Sequence, residues 1–115
     1  MLGGALLNGV FNIILEGILM SKVYWVSVYQ SVSNLEALAA YAKLAVIAMQ
    51  ANGGVFIAKG DPVKVIEAGL QQRVVLIEFE SLEKALAAYN SEGYQAALKA
   101  LGNTAERDIR IVPAN

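Results

Sequence analysis

Stretches of strand-forming residues alternate with longer runs whose apolar positions follow helical spacing. Residues 23–30 (VYWVSVYQ) are rich in β-branched and aromatic side chains, which predicts a strand. Period-two alternation puts Trp25, Ser27 and Tyr29 on one face of it. Ser33 followed three residues later by Glu36 reads as a capping box. It opens an alanine- and leucine-rich helix running to about residue 51. Asn52-Gly53-Gly54 ends that helix, since glycine readily takes the left-handed turn that closes one. Residues 55–59 (VFIAK) predict a second strand, broken at Gly60-Asp61-Pro62, with a short extended piece at 63–66. A third strand is expected over residues 73–79 (RVVLIEF). Ser81 caps a helix through residue 89, and Ser91 caps a shorter one through residue 101. Residues 107–112 (RDIRIV) form the last strand, ended by Pro113.

The order β-α-β-β-α-β predicts an α+β, ferredoxin-like domain: a four-stranded antiparallel sheet with its helices on one face. The third strand is apolar at both parities, with Val74 and Leu76 set against Val75, Ile77 and Phe79. A strand buried on both faces reads this way. One chain leaves the second face bare, and a second copy is the simplest cover. The first helix is also apolar nearly all round, with only Glu36 and Lys43 charged, so it too expects burial on more than one side.

Residues 1–21 form an apolar extension, set apart from the domain at 22–115. Asn8, Asn12 and Glu16 make one polar stripe at i, i+4, i+8. Leu7, Val10, Phe11, Ile14 and Ile18 lie opposite. This predicts an amphipathic helix over about residues 4–19 that needs an apolar partner surface, such as the exposed side of the first helix. The polar stripe disfavours a membrane span. The lack of a basic start disfavours a secretory signal, leaving a cytoplasmic protein as the expectation. The alternative is that the ordinary N-terminus is Met20.

Composition sharpens the picture. Of 115 residues, 57% are hydrophobic and 17% charged. Average domains have about 45–50% and about 25%. The excess apolar surface again favours a homodimer or a higher oligomer. A net charge of −1 gives no footprint for nucleic acid. There is no cysteine and no histidine. That excludes a Ser-His-Asp triad, a cysteine nucleophile and thiolate metal sites, and it argues against haem. No glycine-rich phosphate loop is present. No cofactor or metal is expected.

From Arg73 the chain reads RVVLIEFESLEKALAAYNSEGYQ. Together with Gly53-Gly54-x-Phe56 and Tyr41, this resembles the domain of unknown function 1330 family. The resemblance covers about residues 22–112. It implies a dimeric α/β barrel, in which two ferredoxin-like units pack sheet against sheet. That superfamily includes monooxygenases, isomerases, decarboxylases and haem-dependent enzymes beside members without known activity. The sequence departs from the family where Lys59-Gly60-Asp61, Phe79-Glu80-Ser81 and Ala100-Leu101-Gly102-Asn103 stand, which puts in doubt any anion site built on the family's arginines.

Glu78 is the candidate catalytic residue. It sits in an apolar strand, where a lone carboxylate is costly, and is either a general base, an ion-pair partner of Arg110 on the last strand, or an edge residue facing water. Trp25, Ser27 and Tyr29 either line a cavity or pack the core or a dimer interface. Lys59 and Arg73 either bind an acidic ligand or blunt a strand end. Tyr89 and Tyr94 are read as packing the final short helix onto the domain. Three functions remain open: binding of a small organic molecule in the barrel, a cofactor-independent monooxygenase or isomerase, and a non-enzymatic sensor or interaction module.

Overall fold

The computed structural model describes residues 21–115. The expected helix over residues 4–19 lies outside them. Strand β1 spans Val23–Val32, β2 Val55–Gly60, β3 Val74–Phe79 and β4 Ala105–Pro113. Helix α1 spans Leu35–Ala51, α2 Leu82–Asn90 and α3 Glu92–Leu101. The sheet order is β2-β3-β1-β4, and every neighbouring pair is antiparallel. The ferredoxin-like βαββαβ arrangement is therefore present, with its second helical segment divided into α2 and α3. Ser91 makes the division: its backbone N–H closes α2 on Ala88, and its hydroxyl accepts the Tyr94 N–H that opens α3.

Several local expectations are corrected. The cap of α1 is Asn34, whose side-chain oxygen accepts the Ala37 N–H at 3.0 Å. Ser33 instead donates its hydroxyl to the Thr104 carbonyl at 3.2 Å, tying the end of β1 to the entry of β4. Residues 63–66 form no strand; they belong to an irregular connection between β2 and β3 in which Val63, Ile66 and Leu70 are exposed. Strands β1 and β4 run longer than expected, because Val32 pairs with Ala105 and Val23 with Pro113.

Register separates the two faces of the sheet. Directly paired residues point the same way, so Val23, Trp25, Ser27 and Tyr29 share a face with Val75, Ile77 and Phe79. These seven are buried under the helices. Their core partners on α1 are Tyr41, Ala45, Ala48 and Met49; α2 and α3 add Ala85, Ala88, Tyr94, Ala97 and Leu101. Helix α3 covers a second side of α1. Gly93 sits so close to Ala48 that a Cβ there would lie 3.2 Å from the Ala48 Cβ. The apolar ring of α1 is thus partly explained by a helix of the same domain. Leu35, Leu44 and Ile47 remain exposed.

The opposite face carries Tyr24, Val26, Val28, Val74 and Leu76, all half-buried, with Val112 and Val55 exposed. Its polar members include Glu78, Asp108 and Arg110.

Strand β2 contains a bulge. Phe56 pairs with Ile77, but Ala58 pairs with Leu76 and Lys59 with Val75. Ile57 is the extra residue. One inserted residue inverts the alternation beyond it. Lys59 therefore joins Phe56 on the helix-covered face, where an unbulged strand would place Ala58.

Candidate functional site

Successive rungs of the sheet build a cavity beneath α1. The first rung is Phe56–Ile77–Trp25, the second Lys59–Val75–Ser27, and Arg73 lies beside Tyr29 beyond them. The Tyr29 N–H donates to the Arg73 carbonyl at 2.9 Å, which holds Arg73 at the end of β3 against β1. Leu38, Tyr41, Ala42, Ala45, Val46 and Met49 of α1 roof the space. The cavity has a volume of about 40 Å³. That exceeds the ~10–15 Å³ needed by one water and falls below the ~300 Å³ of a drug-sized site.

Its polar groups are few and incompletely satisfied. Ser27 is 2% exposed, and among the described residues its hydroxyl has no hydrogen-bond partner. The same holds for the buried Arg73 Nε. The Arg73 guanidinium lies 5.9 Å from the Tyr29 ring centre, and the Lys59 ammonium 5.7 Å from that of Phe56. No lining residue is acidic.

A second polar cluster adjoins the cavity through Tyr29 and Tyr41. The hydroxyls of Tyr41 and Tyr94 are 2.7 Å apart in the interior. Arg107 Nη1 donates to both, at 2.8 Å to Tyr41 and 3.2 Å to Tyr94. The Arg107 guanidinium also lies 4.9 Å from the Tyr41 ring centre and 5.7 Å from that of Tyr29. Burial pushes the Tyr41 phenol well above its ordinary range, and Tyr94 adds to the rise; the Arg107 charge opposes it without cancelling it. Tyr41 is therefore a neutral hydrogen-bonding group rather than a base. Burial works against the Arg107 charge, but the facing Tyr41 and Tyr94 oxygens more than compensate and raise its pKa. Around this cluster the rings of Trp25, Tyr89 and Tyr94 pack with centroids 5.4–5.9 Å apart.

Of the residues singled out from sequence, Trp25, Ser27, Tyr29, Lys59 and Arg73 all line the cavity. Glu78 does not. It pairs with Tyr24 across the strands and faces the uncovered side of the sheet. Its ion partner is Lys22, at 3.4 Å, and not Arg110. Arg110 is held by its neighbour Asp108 through two 3.0 Å hydrogen bonds. Register is the reason: Arg110 stands opposite Val26, and Glu78 lies two positions further along, opposite Tyr24. Tyr94 packs α3 as expected and also anchors the Arg107 cluster. The part played by Arg107 had no signal in the sequence beyond an arginine on the Tyr29 face of a strand.

No curated protein is similar to the chain in sequence. Solved structures share its fold. A protein of unknown function from Rhodopseudomonas palustris matches with a TM-score of 0.67 at 14% identity, covering 93% of this chain and 92% of that one. SnoaB, a cofactor-independent oxygenase from Streptomyces nogalater, matches at 0.60 and 14% identity, covering 83% and 94%. A dimeric protein of unknown function with a ferredoxin-like fold, from Bacteroides fragilis, matches at 0.57 and 13% identity, covering 81% and 96%. A model of the domain of unknown function DUF1330 matches residues 22–115, and the chain belongs to that family.

Proposed function

We propose that the protein binds a small organic molecule in the cavity between α1 and the sheet, as a homodimer joined through the uncovered sheet face. The orphaned Ser27 hydroxyl carries the binding reading. A buried polar group without a partner costs about 1–3 kcal/mol, and a ligand that bonds to it relieves that cost. The apolar walls supply the rest of the affinity. Trp25 is the single tryptophan and lines the cavity, so its fluorescence reports occupancy. Aliphatic fragments of two or three carbons, neutral and charged, should shift its emission. Ala42→Leu fills the roof and should abolish the shift while the fold persists by circular dichroism. Unchanged binding in that variant would place the ligand elsewhere.

The dimer reading rests on the half-buried apolar strip Tyr24, Val26, Val28 and Leu76, a surface too apolar to face water alone. The dimeric relative from Bacteroides fragilis supports it. A stable interface would bury more than about 1,000 Å² in total. Val26→Glu should yield a monomer by sedimentation; a wild-type monomer at micromolar concentration would refute the reading.

An oxygenase without cofactor is the competing reading, supported by the fold shared with SnoaB. Catalysis of that kind needs a group to take a proton from the substrate. The cavity lining offers no carboxylate, and its Tyr41 is held neutral. Binding without turnover fits this lining better.

A further inference from the structure

We infer that the ligand is a small carboxylate whose charged end is held by Arg73 and Lys59 and whose short apolar body lies against Trp25 and Met49. This rests on the reading of the cavity as a ligand site and adds the chemical class of the ligand. The argument is electrostatic. Two cations, Arg73 and Lys59, line a cavity of about 40 Å³ that contains no acid. The ion pairs among the described residues are Lys22–Glu78 and Asp108–Arg110, and neither involves these two. A third cation, Arg107, lies against the Tyr29 ring and is hydrogen-bonded by the Tyr41 and Tyr94 hydroxyls rather than by a carboxylate, so it adds positive potential. Like charges gathered around one low-dielectric space focus the field and attract a counter-ion.

The unsatisfied atoms have the matching chemistry. Arg73 Nε is a buried donor with no acceptor, and Ser27 Oγ is a buried hydroxyl with no partner. Both can donate to an anionic oxygen. Charge-assisted bonds of this kind are roughly twice as strong as neutral ones. Lys59 contributes a mobile ammonium from the far side, because the bulge at Ile57 turns it onto this face. Ser27 and Lys59 stand on either side of Val75 in one rung. Adjacent strands are about 4.8 Å apart, so their Cα atoms are separated by roughly 10 Å. Val75 stands between them, so the open space lies over that rung beneath α1, and its roughly 40 Å³ suits a carboxylate of two or three carbons. The remaining walls are Trp25, Met49, Ala45, Val46 and Ile77, which suit an apolar body and offer no second anion-binding group.

The test compares each acid with its own amide, which keeps shape and removes charge. Acetate against acetamide and propionate against propionamide are titrated into the full-length protein, with Trp25 fluorescence and calorimetry as readouts. Each carboxylate should bind at least about ten-fold more tightly than its amide, with the advantage shrinking as salt is added. Arg73→Gln and Lys59→Gln should each bring the ratio towards one, and Ser27→Ala should weaken the acid several-fold. Lys59 is exposed, so its variant stays folded even if Arg73→Gln does not. Equal binding of acid and amide would overturn the carboxylate assignment and leave the ligand site standing. An acid preference that survives in Lys59→Gln and in folded Arg73→Gln would also overturn it. If no acid and no amide binds, both readings fall.

Discussion

Removing the hydroxyl of Tyr94 should weaken the fold by an amount set by the polar cluster alone. Tyr94 is fully buried, and its oxygen lies 2.7 Å from that of Tyr41 and 3.2 Å from Arg107 Nη1. A neutral hydrogen bond is worth about 1 kcal/mol net and one to a charged group about 1.5–3 kcal/mol. The 3.2 Å contact is the longer of the two from Arg107, so its contribution sits at the low end. Tyr94→Phe keeps the ring and its packing, and should therefore cost about 2 kcal/mol. In a domain of this size that lowers Tm by roughly 10 °C. Tyr41→Phe should cost a similar amount, since it loses the same phenol–phenol bond and the shorter guanidinium contact. The double variant is the decisive measurement. Each single change already destroys the shared bond, so the double should fall short of the sum by about 1 kcal/mol. Arg107 is only half-buried, so water can serve its Nη1 when both phenols are gone. Urea unfolding followed by Trp25 fluorescence supplies the numbers. All four proteins must be compared at one concentration, because a dimer's stability depends on it. Additivity within about 0.3–0.5 kcal/mol would mean that the two hydroxyls do not act together, and would refute the cluster as drawn.

Stability should fall as pH rises above about 10, the ordinary phenol value. The folded Tyr41 resists ionisation, so its contribution is complete below that pH and lost as pH climbs towards the raised folded value; Tyr41→Phe should flatten this slope in urea titrations. Gly54→Ala should destabilise by about 1–3 kcal/mol in the same assay. Its Cβ would stand 2.9 Å from the Met49 carbonyl oxygen and 3.0 Å from Phe79 Cζ, and a wild-type midpoint would show that the turn after α1 can yield. Glu78→Gln should change stability by less than about 1 kcal/mol, because the pair with Lys22 is solvent-screened, and should leave fragment binding intact. A loss of binding would return Glu78 to the site.

The strands and helices were legible because their patterns are local. Alternation identified the Trp25-Ser27-Tyr29 face, and serine caps marked where α2 and α3 begin. Adjacent polar residues Ser33 and Asn34 could each cap α1, and only the tertiary bond from Ser33 to Thr104 decides between them. The side on which Glu78 falls depends on pairing with Tyr24, which a single strand does not encode. The Tyr41–Tyr94–Arg107 cluster joins residues 53 and 66 positions apart on three elements, beyond any local rule. The bulge in β2 has no marker either: VFIAKG carries its glycine at the end, not at Ile57.

That bulge makes the chemistry of the cavity depend on how the edge strand is paired as well as on residue identity. If Ile57 were paired with Leu76 instead of bulging out, Ala58 would stand against Val75 and Lys59 would turn to the uncovered face. A positively charged wall would become a methyl group with no side chain substituted. The displaced ammonium would enter the proposed dimer surface, where an apolar interface tolerates it poorly. Within this fold, gain or loss of a bulge in an edge strand is therefore a route by which ligand preference and self-association change together.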